Sequence, residues 1–192
     1  GFSELAPTAA APAAAAAPAA AAAPATLPDW SDSLGLRLQL RLSSTETKDI
    51  ELGTLLSQAK QTVVLLVGPA AWVRESLIAA RCDATLFRSG DVLLVPYVTG
   101  AEDAPRGFGS SSSWSETPVV GEPQDREAWS ERIGREVAAA EAQGADVSSG
   151  VVVVIGRDGE VSQRRLGAPE WRPFLIRLAP ERFDAAEVRR LG

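Results

Sequence analysis

Histidine is missing from all 192 residues, and cysteine occurs once, at Cys82. Without an imidazole the chain cannot run Ser-His-Asp or Cys-His catalysis, ligate a metal through histidine, or switch on histidine protonation. A single thiol excludes an internal disulfide, a CxxC redox pair and a thiolate metal cluster within one chain. Basic residues are outnumbered, with 19 Lys and Arg against 25 Asp and Glu, so the net charge is −6 and capture of nucleic acid or anionic lipid is disfavoured. Long apolar runs are lacking too. Val63 to Val67 and Val151 to Ile155 are strand-length and end in Gly, far short of the ~20 residues that span a bilayer. A soluble segment with no direct membrane insertion is the expectation.

What is present divides unevenly. Residues up to Pro28 are mostly Ala, broken by Pro7, Pro12, Pro18, Pro24 and Pro28. Proline removes a backbone donor and extends its predecessor, which stops long helices, so residues 1–35 read as an Ala/Pro-rich, disordered linker. The chain opens on Gly rather than Met, which suggests a processed or excerpted piece of a longer protein. Residues 36–179 read as one α/β domain, and residues 180–192 as an amphipathic tail.

Leu36 to Leu42 alternates apolar and polar residues, the period of a half-buried strand. Thr45 or Thr47 can then cap a helix whose apolar face is Ile50, Leu52, Leu55, Leu56 and Ala59, ending near Lys60. Thr62 to Val67 is a continuous β-branched and Leu run, predicting a central strand. After Gly68-Pro69, Trp72, Val73, Leu77, Ile78 and Ala80 recur at helical spacing up to Cys82. Asp91 to Val98 is a third strand, with Pro96 at an edge or bulge. Gly100 to Gln124 is a long excursion loop rich in Gly, Ser and acidic residues, well over the usual ~4–6 residues.

Asp125 to Gln143 reads as a helix with Trp129, Ile133 and Val137 on its apolar face and its Arg, Glu and Asp on the other, stopped by Gly144. Gly150 to Ile155 is a buried strand, Asp158-Gly159 a hairpin turn, and Val161 to Leu166 the returning strand. Pro169 starts a last helix with Trp171, Phe174, Leu175 and Leu178 inward. The order β-α-β-α-β-α-β-β-α, with one long loop insertion, is that of a thioredoxin-like three-layer domain.

In thioredoxin-like enzymes the redox pair lies between the second strand and the next helix, where the helix N-terminus lowers the thiol pKa. Here that place reads Gly68-Pro69-Ala70-Ala71-Trp72, and Ser148-Ser149-Gly150 stands where such proteins carry a cis-proline. Both departures point to a redox-inactive module with no catalytic residue, metal or cofactor. Cys82 falls at a helix C-terminus, where the dipole disfavours a thiolate. A quiet structural thiol is the plainer reading, and a regulatory or glutathionylated thiol the other. Gly107-Phe108-Gly109-Ser110 lacks the ending of a phosphate-binding loop. The carboxylates Glu116, Glu122, Asp125 and Glu127 match no calcium loop and read as a solvated face.

Five tryptophans remain to be placed. Trp129 and Trp171 lie on apolar helix faces and read as core. Trp72 at the vestigial turn and Trp114 in the polar loop, with Phe108, Arg74 and Arg106, are the candidates for contact with a partner; Arg81 and Arg88 can extend that basic patch.

The segments Val63-Val64-Leu65-Leu66-Val67-Gly68, Trp72-Val73-Arg74-Glu75, Val95-Pro96-Tyr97, Arg106-Gly107-Phe108-Gly109 and Val152-Val153-Val154-Ile155-Gly156-Arg157-Asp158-Gly159 resemble the C-terminal soluble region of the chloroplast low-photosystem-II-accumulation proteins. The Ala/Pro-rich linker is similar to those of green-algal chloroplast proteins. The resemblance spans about Leu36 to Leu178. It implies a thylakoid-associated assembly or repair factor for photosystem II that acts by contact with membrane-complex subunits, without a catalytic residue. Two alternatives stay open: a thiol-dependent redox enzyme using Cys82, and a small-molecule-binding domain using the crevice at the carboxyl ends of the parallel strands.

Overall fold

The structure is a computed structural model that describes residues 28–42, 45–100, 119–184 and 188. The uninterrupted Val/Leu runs form its centre. Strand β3 (Thr62–Gly68) pairs in parallel with β4 (Val92–Val98) and antiparallel with β6 (Val151–Ile155), which turns through Asp158-Gly159 into β7 (Val161–Leu166). The hairpin turn works as its residues predict. Gly159 takes φ +85°, and the Asp158 carboxylate accepts the Glu160 N–H at 3.0 Å.

Alternation along β3 decides what each face packs against. Val63, Leu65 and Val67 face one core with Leu52, Leu55 and Leu56 of α1 (Leu52–Ser57) and Trp129 and Ile133 of α4 (Arg126–Ala142). Val64 and Leu66 face the other, with Val73 and Leu77 of α2 (Ala70–Arg81), Phe87 of α3 (Ala84–Ser89), and Trp171, Phe174 and Leu175 of α5 (Trp171–Leu178). A sheet ordered β4-β3-β6-β7 with helices on both faces is a thioredoxin-like three-layer α/β domain.

The first half departs from the expected order. Thr47–Glu51, predicted to be helical, is strand β2, paired antiparallel with β1 (Arg37–Arg41). The register sets Ile50 beside Leu38 and Glu51 beside Arg37, so an apolar pair and an opposite-charge pair favour the hairpin over the first helical turn. Only the last turns of that predicted helix survive, as α1. A further helix, α3, follows α2 after the break at Cys82 and Asp83. The end of the predicted excursion loop is ordered as well. Strand β5 (Gly121–Pro123) pairs with β1, and Val120 just before it bridges in parallel to Leu94 of β4. That bridge seats the β1–β2 hairpin beside the main sheet.

Packing begins before residue 36. Trp30 is fully buried within the first core, 6.4 Å from Trp129 between ring centroids. After α5, a short turn at Pro180–Arg182 is tied back by Arg182 to the Asp91 carboxylate at 2.5 Å. Among the described residues, no helix is long and apolar enough to cross a membrane.

Candidate functional site: the carboxyl ends of the parallel strands

Strand β3 ends at Gly68, Pro69 holds the N-cap position of α2, and Ala70 and Ala71 open the helix. No side chain caps this terminus. The place where a thiol would stand therefore presents two methyl groups. Trp72, half-buried in the first turn, lays its indole over the backbones of Gly68 and Gly150. A Cβ on Gly150 would overlap the Trp72 ring, and Gly150 also takes φ +79°, so glycine is required there twice over. The indole thus fills the junction between the end of β3 and the start of β6.

On the opposite side of the same strand ends, Thr99 N–H donates to Gly68 O at 2.9 Å, and the chain from Tyr97 to Gly100 forms one wall of a cavity of about 570 Å³. The other wall is α4, through Arg126, Ser130, Ile133, Gly134 and Val137. Asp125 N-caps α4 from a left-handed φ of +56°, its carboxylate accepting Ala128 N–H at 3.4 Å.

A third feature was hidden from the sequence reading. Arg132 and Glu136, expected on the polar face of α4, are 1 % and 2 % exposed. They lie one turn apart on the same stripe as Trp129 and Ile133, and that i, i+3, i+4, i+7 spacing was the readable signal. Glu136 accepts Trp30 Nε1–H at 3.1 Å and is ion-paired to Arg132 at 3.3 Å and to Arg164 of β7. Arg164 Nη2 also donates to Pro28 O at 2.6 Å, and Arg132 Nη2 to Asp29 O at 3.2 Å. The Arg132 guanidinium lies 3.9 Å over the Trp30 ring, and its Nε and Nη1 have no hydrogen-bond partner among the described residues. Burial holds Arg132 below the usual guanidinium range, opposed by the Glu136 charge. On the rim, hydrogen bonds from Ser31 hold the Asp29 carboxyl below its ordinary value, and those from Ser33 and Arg135 do the same for Asp32.

The other predicted site residues fall apart from this region or outside the described residues. Arg74 is exposed on α2, two positions from Trp72 and so not on its face. Cys82 is an exposed free thiol at the C-cap of α2, its N–H donating to Ala79 and Ala80 carbonyls. Arg106, Phe108 and Trp114 lie outside the described residues, as does Glu116. Trp129 and Trp171 are core, Trp171 donating to Ser76 O at 3.1 Å. Among the described residues, no three His, Cys, Asp or Glu side chains are grouped to hold a metal ion.

No protein-family model and no curated protein matches the chain. Solved structures similar to it include the mitochondrial 2-Cys peroxiredoxin of Plasmodium falciparum, 13 % identical over 76 % of this chain and 88 % of that one, with a TM-score of 0.44. Peroxiredoxin Q of Xanthomonas campestris is 11 % identical over 83 % and 99 %, TM-score 0.46. A thiol:disulfide interchange protein from a Bacteroides species is 9 % identical over 80 % and 91 %, TM-score 0.45. The strand order and register, rather than these resemblances, make the chain thioredoxin-like.

Proposed function

We propose that the chain is a redox-inactive thioredoxin-like module that works by protein–protein contact, within an assembly or repair factor for photosystem II at the chloroplast thylakoid. The observation that carries the non-catalytic part is the turn from Gly68 to Trp72. Methyl groups stand at the reactive position, and an indole packed on Gly68 and Gly150 occupies the space beside it. Cys82, the sole thiol, is exposed at the C-cap of α2, at the far end of that helix from the vestigial turn. The photosystem II part is carried by the motif resemblance given above. The exposed portion of Trp72 is the contact candidate within the described residues, and Arg106, Phe108 and Trp114 are retained with it from the sequence.

The test is affinity capture from a detergent-solubilised thylakoid extract with the full chain, run beside Trp72→Ala and Trp114→Ala variants whose folds are checked by circular dichroism. Photosystem II subunits recovered by the wild type and reduced by the variants are the expected result. Recovery of no photosystem II subunit would overturn the assembly-factor reading. In a parallel assay of insulin-disulfide reduction and peroxide consumption, Cys82-dependent turnover would overturn the non-catalytic one.

A further inference from the structure

We propose that the groove between the chain from Tyr97 to Gly100 and helix α4 binds a small uncharged organic molecule, one with an apolar body and a carbonyl or similar hydrogen-bond acceptor. This goes beyond the contact function above and does not depend on it. The groove lies at the carboxyl end of β4, the parallel partner of β3, and the crevice beyond the carboxyl ends of parallel strands is where α/β sheets commonly hold ligands. Its volume, about 570 Å³, falls in the ~300–1,000 Å³ range of small-molecule sites.

The side chains that reach the groove specify the chemistry. Alternation along the end of β4 sends Val98 into the second core and leaves Tyr97 and Thr99 on the side of α4, where Tyr97 packs at the margin of the first core. Ile133, one turn before Val137, is almost fully buried, so the apolar surface on offer is that of half-buried Tyr97 and Val137. Tyr97, Thr99 and Ser130 bring hydroxyl groups, none of which has a hydrogen-bond partner among the described residues. Arg126, the one charged residue of the nine that line the groove, is already engaged in an interaction of its own. A charged ligand would lose water here without gaining a counter-ion, whereas uncommitted hydroxyls can donate to a neutral acceptor. Gly134 supports the same reading. It lies inside the 17-residue helix α4, where glycine is a poor helix former, yet a Cβ there would meet nothing within 4 Å. Neither backbone conformation nor packing asks for glycine at that position. An open wall does.

The probe is 6-propionyl-2-dimethylaminonaphthalene, an uncharged ketone titrated against the full chain by fluorescence, with the anion 8-anilinonaphthalene-1-sulfonate as competitor. Far- and near-ultraviolet circular dichroism and thermal unfolding verify that each protein is native. A single saturable site is expected. Filling the groove with Gly134→Leu should weaken it by about tenfold or more, and since leucine is the stronger helix former, the variant should keep its thermal midpoint. The Tyr97→Phe, Ser130→Ala double variant keeps the ring and removes two hydroxyls. It should weaken the ketone by about three- to tenfold, a loss of roughly 0.7–1.4 kcal/mol. The sulfonate should displace the ketone only at about tenfold higher concentration or more. Absence of saturable binding by native protein, or binding indifferent to Gly134→Leu, overturns the site. Binding indifferent to the double variant overturns the role of the hydroxyls, and displacement by the sulfonate at equal or lower concentration overturns the uncharged ligand.

Discussion

At Gly150 two demands on one residue coincide: a left-handed φ of +79° and contact with the face of the Trp72 indole. An alanine would bear about 1–3 kcal/mol for a backbone at φ +79° and ψ 147°, a region open essentially to glycine alone, and would also collide with the ring. The two parts are separable, because only the second involves Trp72. We expect Gly150→Ala to destabilise the domain, and the Gly150→Ala, Trp72→Ala double variant to lose less than the sum of the two single losses. The coupling should be about 0.5–3 kcal/mol in urea denaturation, the range for residues in direct contact. Additivity within about 0.5 kcal/mol would mean that the indole does not hold the junction closed. The vestigial turn itself was legible from the residues Gly68 to Trp72. Its closure was not, since Trp72 and Gly150 are far apart in the chain and a glycine carries no pattern that names its neighbour.

Helix α4 shows what an element's neighbours add to its own periodicity. Its apolar stripe predicts the inward positions Trp129 and Ile133, but the same stripe carries Arg132 and Glu136 inside, where the segment from Pro28 to Ser33 covers them. A buried carboxylate between two guanidiniums is the junction of this arrangement. Removing its charge leaves Arg132 buried without a counter-ion, and breaking a buried pair in this way costs about 3–5 kcal/mol. Glu136→Gln is therefore expected to lower the unfolding free energy, read from the midpoint and slope of urea denaturation, by an amount in that range. The exposed Arg135–Asp32 pair, with side chains 48 % and 56 % accessible, should contribute little when Arg135 is changed to Ala. Equal effects of the two changes would refute the buried cluster as the anchor of the N-terminal segment. Strands β3 and β6 and helices α2, α4 and α5 were readable because each carries its burial pattern alone, and β7, with no buried residue, because the Asp158-Gly159 turn returns the chain beside β6. Strand β2 was not, because Thr47 to Glu51 is exposed apart from half-buried Ile50 and becomes a strand only through its register with β1. The groove wall shares that origin, arising between elements, whereas in the Trp30 cluster the spacing of α4 already marked Arg132 and Glu136 as inward and only their partner Trp30 had no signal.

At the scale of the molecule, the described residues form two cores on the two faces of one sheet, and the shared strands couple them. Successive residues of β3 and β6 point alternately into one core and the other, so neither core can loosen without moving the strands that support its counterpart. Trp30 belongs to the first core and Trp171 to the second, 0 % and 4 % exposed. Truncating either to alanine is expected to cost about 3–5 kcal/mol, the usual loss for a large buried aromatic. The sharper expectation concerns cooperativity. Each variant should shift one common transition, with the far-ultraviolet signal of the sheet and the near-ultraviolet signal of the remaining tryptophans moving together. Because the N-terminal segment enters the first core through Trp30, its attachment should be lost in that same step and not earlier. Separate transitions in the Trp30→Ala protein, with the α2, α3 and α5 face melting later than the α4 face, would show that the sheet does not bind the two cores into one folding unit.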